Sequence, residues 1–236
     1  MKIIRSPSPN FDARDRKVDM VVLHYTGMPT GAEALARLVD PASRVSAHYL
    51  VEEDGRIHRL VEDEQRAWHA GVSSWKGESS INARSIGIEI VNPGHEWGYR
   101  KFPDAQIDSV IALVRDILKR NGISPARVLA HSDVAPARKE DPGERFPWAR
   151  LAQESVAIGP YEGAPDASIP YTDALAALRE IGYEIADAAP GVPAPAAAVL
   201  AFQRRFCPTA LGQGFSPLTK TALLWAARAM SVESGS

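Results

Sequence analysis

Residues 46–61 read SAHYLVEEDGRIHRLV, two runs of alternating apolar and polar residues joined through Asp54 and Gly55. Alternation with a period of two is strand periodicity, and an Asp-Gly pair between two such runs supplies the tight reversal of a β-hairpin. The reading places strands at 47–53 and 57–61. Outward from this hairpin, further short apolar runs stand at 19–25 (DMVVLHY), 86–92 (IGIEIVN) and 127–131 (RVLAH). The segments between them carry helical periodicity. One helix is expected over 32–38, after Pro29 and Thr30. A longer one follows Pro103 and Asp104, with apolar residues at 107, 110, 111, 114, 117 and 118 and Gly122 as its stop. From Val18 to Leu151 this mixture predicts an α/β fold, a mixed central β-sheet flanked by helices.

Beyond Pro147 the texture changes. EGAPDASIPY (162–171) is a Pro, Gly and Ala spacer, after which no strand pattern returns. YTDALAALREIGY (171–183), AAAVLAFQRRF (196–206) and TKTALLWAARAM (219–230) each read as a helix, with DAAPGVPAPA (187–196) as a connection. The expected organisation is a first domain over 1–155, a linker over 156–169 and a small all-α module over 170–236. At roughly 60 residues such a module is marginal alone.

The 236 residues are 45% hydrophobic and 24% charged, which excludes global disorder and supplies a core. A net charge of −2, with no dense Lys/Arg run, gives no footprint for nucleic acid. The lone cysteine, Cys207, has no intramolecular partner and reads as a small buried residue. The start, MKIIRSPSPNFDARDRK, turns polar where a leader peptide needs an apolar run, and no stretch reaches the ~18 apolar residues of a membrane span. The expectation is a cytoplasmic protein, with the periplasm as the alternative, acting as a monomer.

Three residues carry the chemistry. His24 closes MVVLHYT (20–26), His131 closes RVLAH (127–131), and Asp141 lies in ARKEDPG (137–143). Two imidazoles and a carboxylate are the ligand set of a catalytic zinc with an open fourth position. The alternative is three unrelated, hydrogen-bonded polar residues, because only tertiary structure can assemble this set. Glu89 sits among Ile86, Ile88 and Ile90 but on the opposite strand face with Gly87 and Val91. A carboxylate there is either solvated or working as a general base and then acid. Lys139 is a surface lysine unless its loop folds back, where it would stabilise an oxyanion. RAWHAGVSSWKG (66–77) places Trp68, His69 and Trp75 in a Gly/Ser-rich loop suited to sugar or peptide contact, with Trp68 alternatively a core anchor. His48 and His58 read as structural. His95, in NPGHEWGY (92–99), has no metal spacing.

In order, VVLHYT, SAHYLV with DGRIHRLV, AWHAGVSSWKG, NARSIGIEIVN, VLAHSDVAPARKEDPG and FPW resemble the zinc-dependent N-acetylmuramoyl-L-alanine amidases. The resemblance is to the AmpD- and AmiD-like branch of the amidase-2 family, related in fold to peptidoglycan recognition proteins, and covers roughly residues 18–151. It implies Zn2+ held by His24, His131 and Asp141, with Glu89 as catalytic glutamate and Lys139 as transition-state lysine. It further implies that His69, Asn82 and Arg84 meet the substrate, and Trp68 joins them as a candidate from the character of its loop. That substrate would be a peptidoglycan fragment, a muropeptide of cell-wall turnover, cut between N-acetylmuramic acid and L-alanine. A non-catalytic peptidoglycan receptor and a zinc peptidase acting within the stem peptide are the alternatives. The C-terminal helices resemble the three-helix peptidoglycan-binding module of such enzymes, with GQGFSPLT (212–219) replacing its usual turn. A helical cap on the first domain is the other reading of them.

Overall fold

The computed structural model describes residues 3–185 and 195–232. Its strands are β1 (Ile3–Arg5), β2 (Phe11–Ala13), β3 (Met20–Tyr25), β4 (Tyr49–Val51), β5 (Ile57–Arg59), β6 (Gln65–Ala67), β7 (Ser85–Ile90) and β8 (Val128–Ala130). The helices are α1 (Gly31–Val39), α2 (Ile81–Arg84), α3 (Gly94–Trp97), α4 (Asp104–Asn121), α5 (His131–Val134), α6 (Trp148–Gln153), α7 (Tyr171–Ile181), α8 (Ala196–Phe206) and α9 (Pro217–Val232). Six strands form one sheet in the order β1-β5-β4-β7-β3-β8, and β2 pairs with β6 apart from it. The hairpin β4–β5 is antiparallel, whereas β4–β7, β7–β3 and β3–β8 are parallel, so the sheet is mixed as expected. Most of the connection expected over 187–196 lies outside the described residues.

Local chemistry accounts for the helix ends. The Thr30 hydroxyl accepts from the Glu33 N–H at 3.2 Å and caps α1. Gly122, at φ 65°, takes the left-handed turn that stops α4. Helix α4 buries Ile107, Val110, Val114 and Ile117 against Ile86, Ile88 and Ile90 of β7.

The opposite sheet face decides where the C-terminal helices go. Met20 and Val22 of β3 and Leu129 of β8 share one core with Leu178 of α7, Phe202 and Phe206 of α8 and Leu223 of α9. The helices therefore pack on the sheet as its second covering layer. A strand that reads MVVL is apolar on both faces because both are covered. One buried ion pair crosses this contact. Arg205 of α8 donates from Nη1 to Asp133 Oδ2 of α5 at 2.8 Å, and the Tyr183 hydroxyl donates to Asp133 Oδ1 at 2.6 Å. Cys207 is buried where α8 ends. No helix among the described residues is long and apolar enough to cross a membrane.

Candidate metal centre

In register, His24 of β3 stands beside Glu89 of β7. Both point to the face opposite Val21, Leu23, Ile86 and Ile88, which the period of two requires. His131 is the first residue of α5, immediately after β8, on the other side of β3. The loop after α5 returns so that the Ser132 N–H donates to the Asp141 carbonyl at 3.0 Å, bringing Asp141 under the strand ends.

Three side-chain atoms converge there. His24 Nδ1 lies 2.9 Å from His131 Nδ1. Asp141 Oδ2 lies 3.2 Å from the first and 3.0 Å from the second. All three residues are buried. A tetrahedral zinc with bonds of about 2.0–2.1 Å sets its ligand atoms about 3.3 Å apart, close to the spacing of this triangle. The donor set fits that metal in a second respect. His131 Nε2 lies 3.1 Å from the Ala70 carbonyl, which can only accept, so the proton is on Nε2 and the Nδ1 lone pair faces the triangle. Burial, and then the neighbouring His131, push His24 down to about 4, which keeps it a neutral ligand at pH 7. Burial opposes ionisation of Asp141, but His131 and His24 outweigh it and hold the carboxylate well below its usual range.

The N-acetylmuramoyl-L-alanine amidase family, Amidase_2, matches residues 14–144, more than half of the molecule. The chain belongs to that family.

Similarity extends past the matched segment. The chain is 36% identical over 215 residues to N-acetylmuramoyl-L-alanine amidase AmiD of Escherichia coli K12, covering 82% of this chain and 76% of AmiD. It is 35% identical over 166 residues to 1,6-anhydro-N-acetylmuramyl-L-alanine amidase AmpD of Citrobacter freundii, covering 62% of this chain and 87% of that protein. Among solved structures, E. coli AmiD in complex with anhydro-N-acetylmuramic acid-L-Ala-D-γ-Glu-L-Lys superposes with a TM-score of 0.77 at 32% identity, covering 94% of this chain and 93% of AmiD. AmpDh3 of Pseudomonas aeruginosa with an anhydromuramic pentapeptide superposes with a TM-score of 0.73 at 31% identity, covering 89% and 91%.

In this amidase the triangle opens into a cleft that Glu89, Lys139, Trp68 and His69 also line. Burial, and next the Asp141 charge, raise Glu89 well above the usual carboxylate range, partly offset by Lys139. Its Oε2 is buried without a hydrogen-bond partner. An acid so placed holds a proton readily and has one oxygen uncommitted. The Trp68 indole N–H donates to Asp12 Oδ2 at 2.6 Å, which fixes the ring at the cleft wall.

Asn82 and Arg84, expected at the substrate, lie outside the cleft lining. Asn82 Oδ1 accepts the backbone N–H groups of His69 at 3.2 Å and Ala70 at 2.7 Å. Arg84, the last residue of α2, is held by Asp19 and by Glu78. Trp75 is also absent from the cleft. It is fully buried and packs edge-on against Tyr183 at 5.1 Å, because its loop folds under the C-terminal helices. His48 is buried, its Nδ1 accepting from the Gly87 N–H at 2.9 Å, and His58 bonds Ser6 at 2.9 Å.

Several cleft residues were not nominated from the sequence. Tyr25, Arg37, His95 and Arg138 line the same cavity as the metal ligands. Tyr25 and Arg138 adjoin His24 and Lys139 in the chain, and that adjacency was the available signal. His95 is set over Tyr99, with ring centroids 4.3 Å apart, and is reached by Glu140 and Glu144. Nothing local in NPGHEWGY announces that position.

Proposed function

We propose that this amidase hydrolyses the amide between N-acetylmuramic acid, or its 1,6-anhydro form, and the L-alanine of the stem peptide, on fragments released in cell-wall turnover. The observation that carries the reading is the Glu89 carboxyl, one oxygen buried and uncommitted, placed beside a closed triangle of two imidazoles and a carboxylate. The two relatives solved with anhydromuramyl peptides support the substrate class.

His24, His131 and Asp141 would hold zinc, whose Lewis acidity, when bound, polarises the scissile carbonyl and eases deprotonation of water. Glu89 takes the proton of the attacking water and returns it to the nitrogen of L-alanine as the amide breaks. Lys139 faces the negative charge that grows on the carbonyl oxygen. Trp68 offers an immobilised aromatic wall to the sugar or peptide. The division into residues 1–155, 156–169 and 170–236 we retain as a proposal about sequence organisation. The helices of the last part act first as a cap, which their common core with the sheet supports.

Glu89→Gln tests the assignment. Zinc content should stay at one per chain while turnover of an anhydromuropeptide, followed by mass spectrometry, falls about 10²–10⁴-fold. Normal turnover in metal-replete Glu89→Gln would overturn the role. An uncut substrate with wild-type enzyme would favour a receptor, and a cut within the peptide would favour a peptidase.

A further inference from the structure

An imidazole ligates through the nitrogen that carries no proton, so the partner of its other nitrogen sets the tautomer. For His24 that partner is His69, and the proton positions along the line can be counted. The Ser85 hydroxyl lies 2.7 Å from the Ile81 carbonyl, which only accepts, so its single proton is used there. Its 3.0 Å contact with His69 Nε2 is then one in which His69 donates. A neutral imidazole has one N–H, so His69 Nδ1 is an acceptor, 3.0 Å from His24 Nε2. His24 donates from Nε2 and turns an unprotonated Nδ1 toward His131 and Asp141.

We propose that His69 is a positioning residue for the metal ligand His24 and makes no polar contact with substrate through its ring, because both ring nitrogens are committed. The proposal rests on the reading of a zinc site above. Two independent features support it. A methyl group at position 87 would stand 2.4 Å from His69 Cγ, so the glycine in SIGIEI is the space the His69 ring occupies. The adjacent residue serves the other imidazole, since Ala70 accepts from His131 Nε2 and Asn82 fixes the N–H groups of both 69 and 70. One dipeptide, held by one amide side chain, orients both histidine ligands.

The test uses the full zinc-loaded chain. In ¹⁵N-histidine spectra, His24 should show a protonated Nε2 and a metal-bound Nδ1, and His69 a protonated Nε2. Competition with a chelator should find zinc bound about 10–100-fold more weakly by His69→Phe, with part of the affinity restored in His69→Gln, which keeps an acceptor. Should His69→Phe not fold, Ser85→Ala carries the test, since it frees the His69 tautomer and should weaken zinc several-fold. Wild-type zinc affinity in His69→Phe with a raised KM, wild-type affinity in Ser85→Ala, or a metal-bound His24 Nε2 would each overturn the proposal. A wild-type chain that takes up no zinc would instead overturn the metal site itself.

Discussion

Replacing Arg205 by Met should destabilise the amidase by about 3 kcal/mol, and the figure follows from what surrounds the guanidinium. Arg205 and Asp133 have side-chain exposures of 1% and 0%. Removing one member of so buried a pair leaves a charge without compensation, which costs about 3–5 kcal/mol. The guanidinium also lies 4.2 Å from the Trp148 ring centroid, a contact that a thioether largely replaces. Arg205 Nε is buried without an acceptor, and Met removes that cost, which moves the expectation to the low end. Urea unfolding of the zinc-loaded protein should register the loss, and melting should fall by roughly 10 °C for a chain of this length. The paired change Arg205→Met with Asp133→Asn should recover much of it, because the orphaned charge is gone. Asp133 Oδ2 also accepts the Ala130 N–H at 2.8 Å, one residue before the ligand His131, so Arg205→Met should weaken zinc as well. A loss under about 1 kcal/mol, or a double variant as unstable as the two singles summed, would refute the reasoning.

Three further outcomes are expected. Burial, and then Arg14, push His48 down to about 3, so it stays neutral when folded, whereas the unfolded chain takes up a proton below about 6.5. That contribution is complete above pH 6.5 and is lost toward pH 3 at about 1.4 kcal/mol per pH unit; His48→Gln should flatten the urea-midpoint profile by one proton, and an unchanged slope would count against it. Lys139→Met should lower kcat about 10–10³-fold with KM nearly constant, whereas a pure KM effect would assign Lys139 to binding. A chain ending at Ser168 should aggregate, since it uncovers Met20, Val22 and Leu129; a soluble fragment with a cooperative melt would contradict the shared core.

The strands legible in the sequence were those whose own residues announce burial. MVVL and SIGIEI are apolar runs covered on both sides, and the hairpin advertises its turn. Strands β1, β2 and β6 read IIR, FDA and QRA, three residues each, and exist because neighbours offer backbone partners. Their signal is in the pairing and not in the segment. The helices α7, α8 and α9 were legible from periodicity, which shows that a face is buried without naming what buries it. His24, His131 and Asp141 could be nominated by residue type, but their convergence needed the register of β3 with its neighbours. Asn82 and Arg84 were assigned to the substrate by family pattern. The direction of a side chain on the four-residue helix α2 is a matter of tertiary packing, and it turns both elsewhere.

The core that α7, α8 and α9 share with the back of the sheet also governs reach. A module on a loose tether raises the local supply of its ligand by roaming, with a gain set by tether length. Helices packed into the same apolar interior as β3 have no such freedom. Whatever settles on their outer surface is held at one fixed distance and bearing from His24, so this layer can act as a ruler along a polymer but not as a leash.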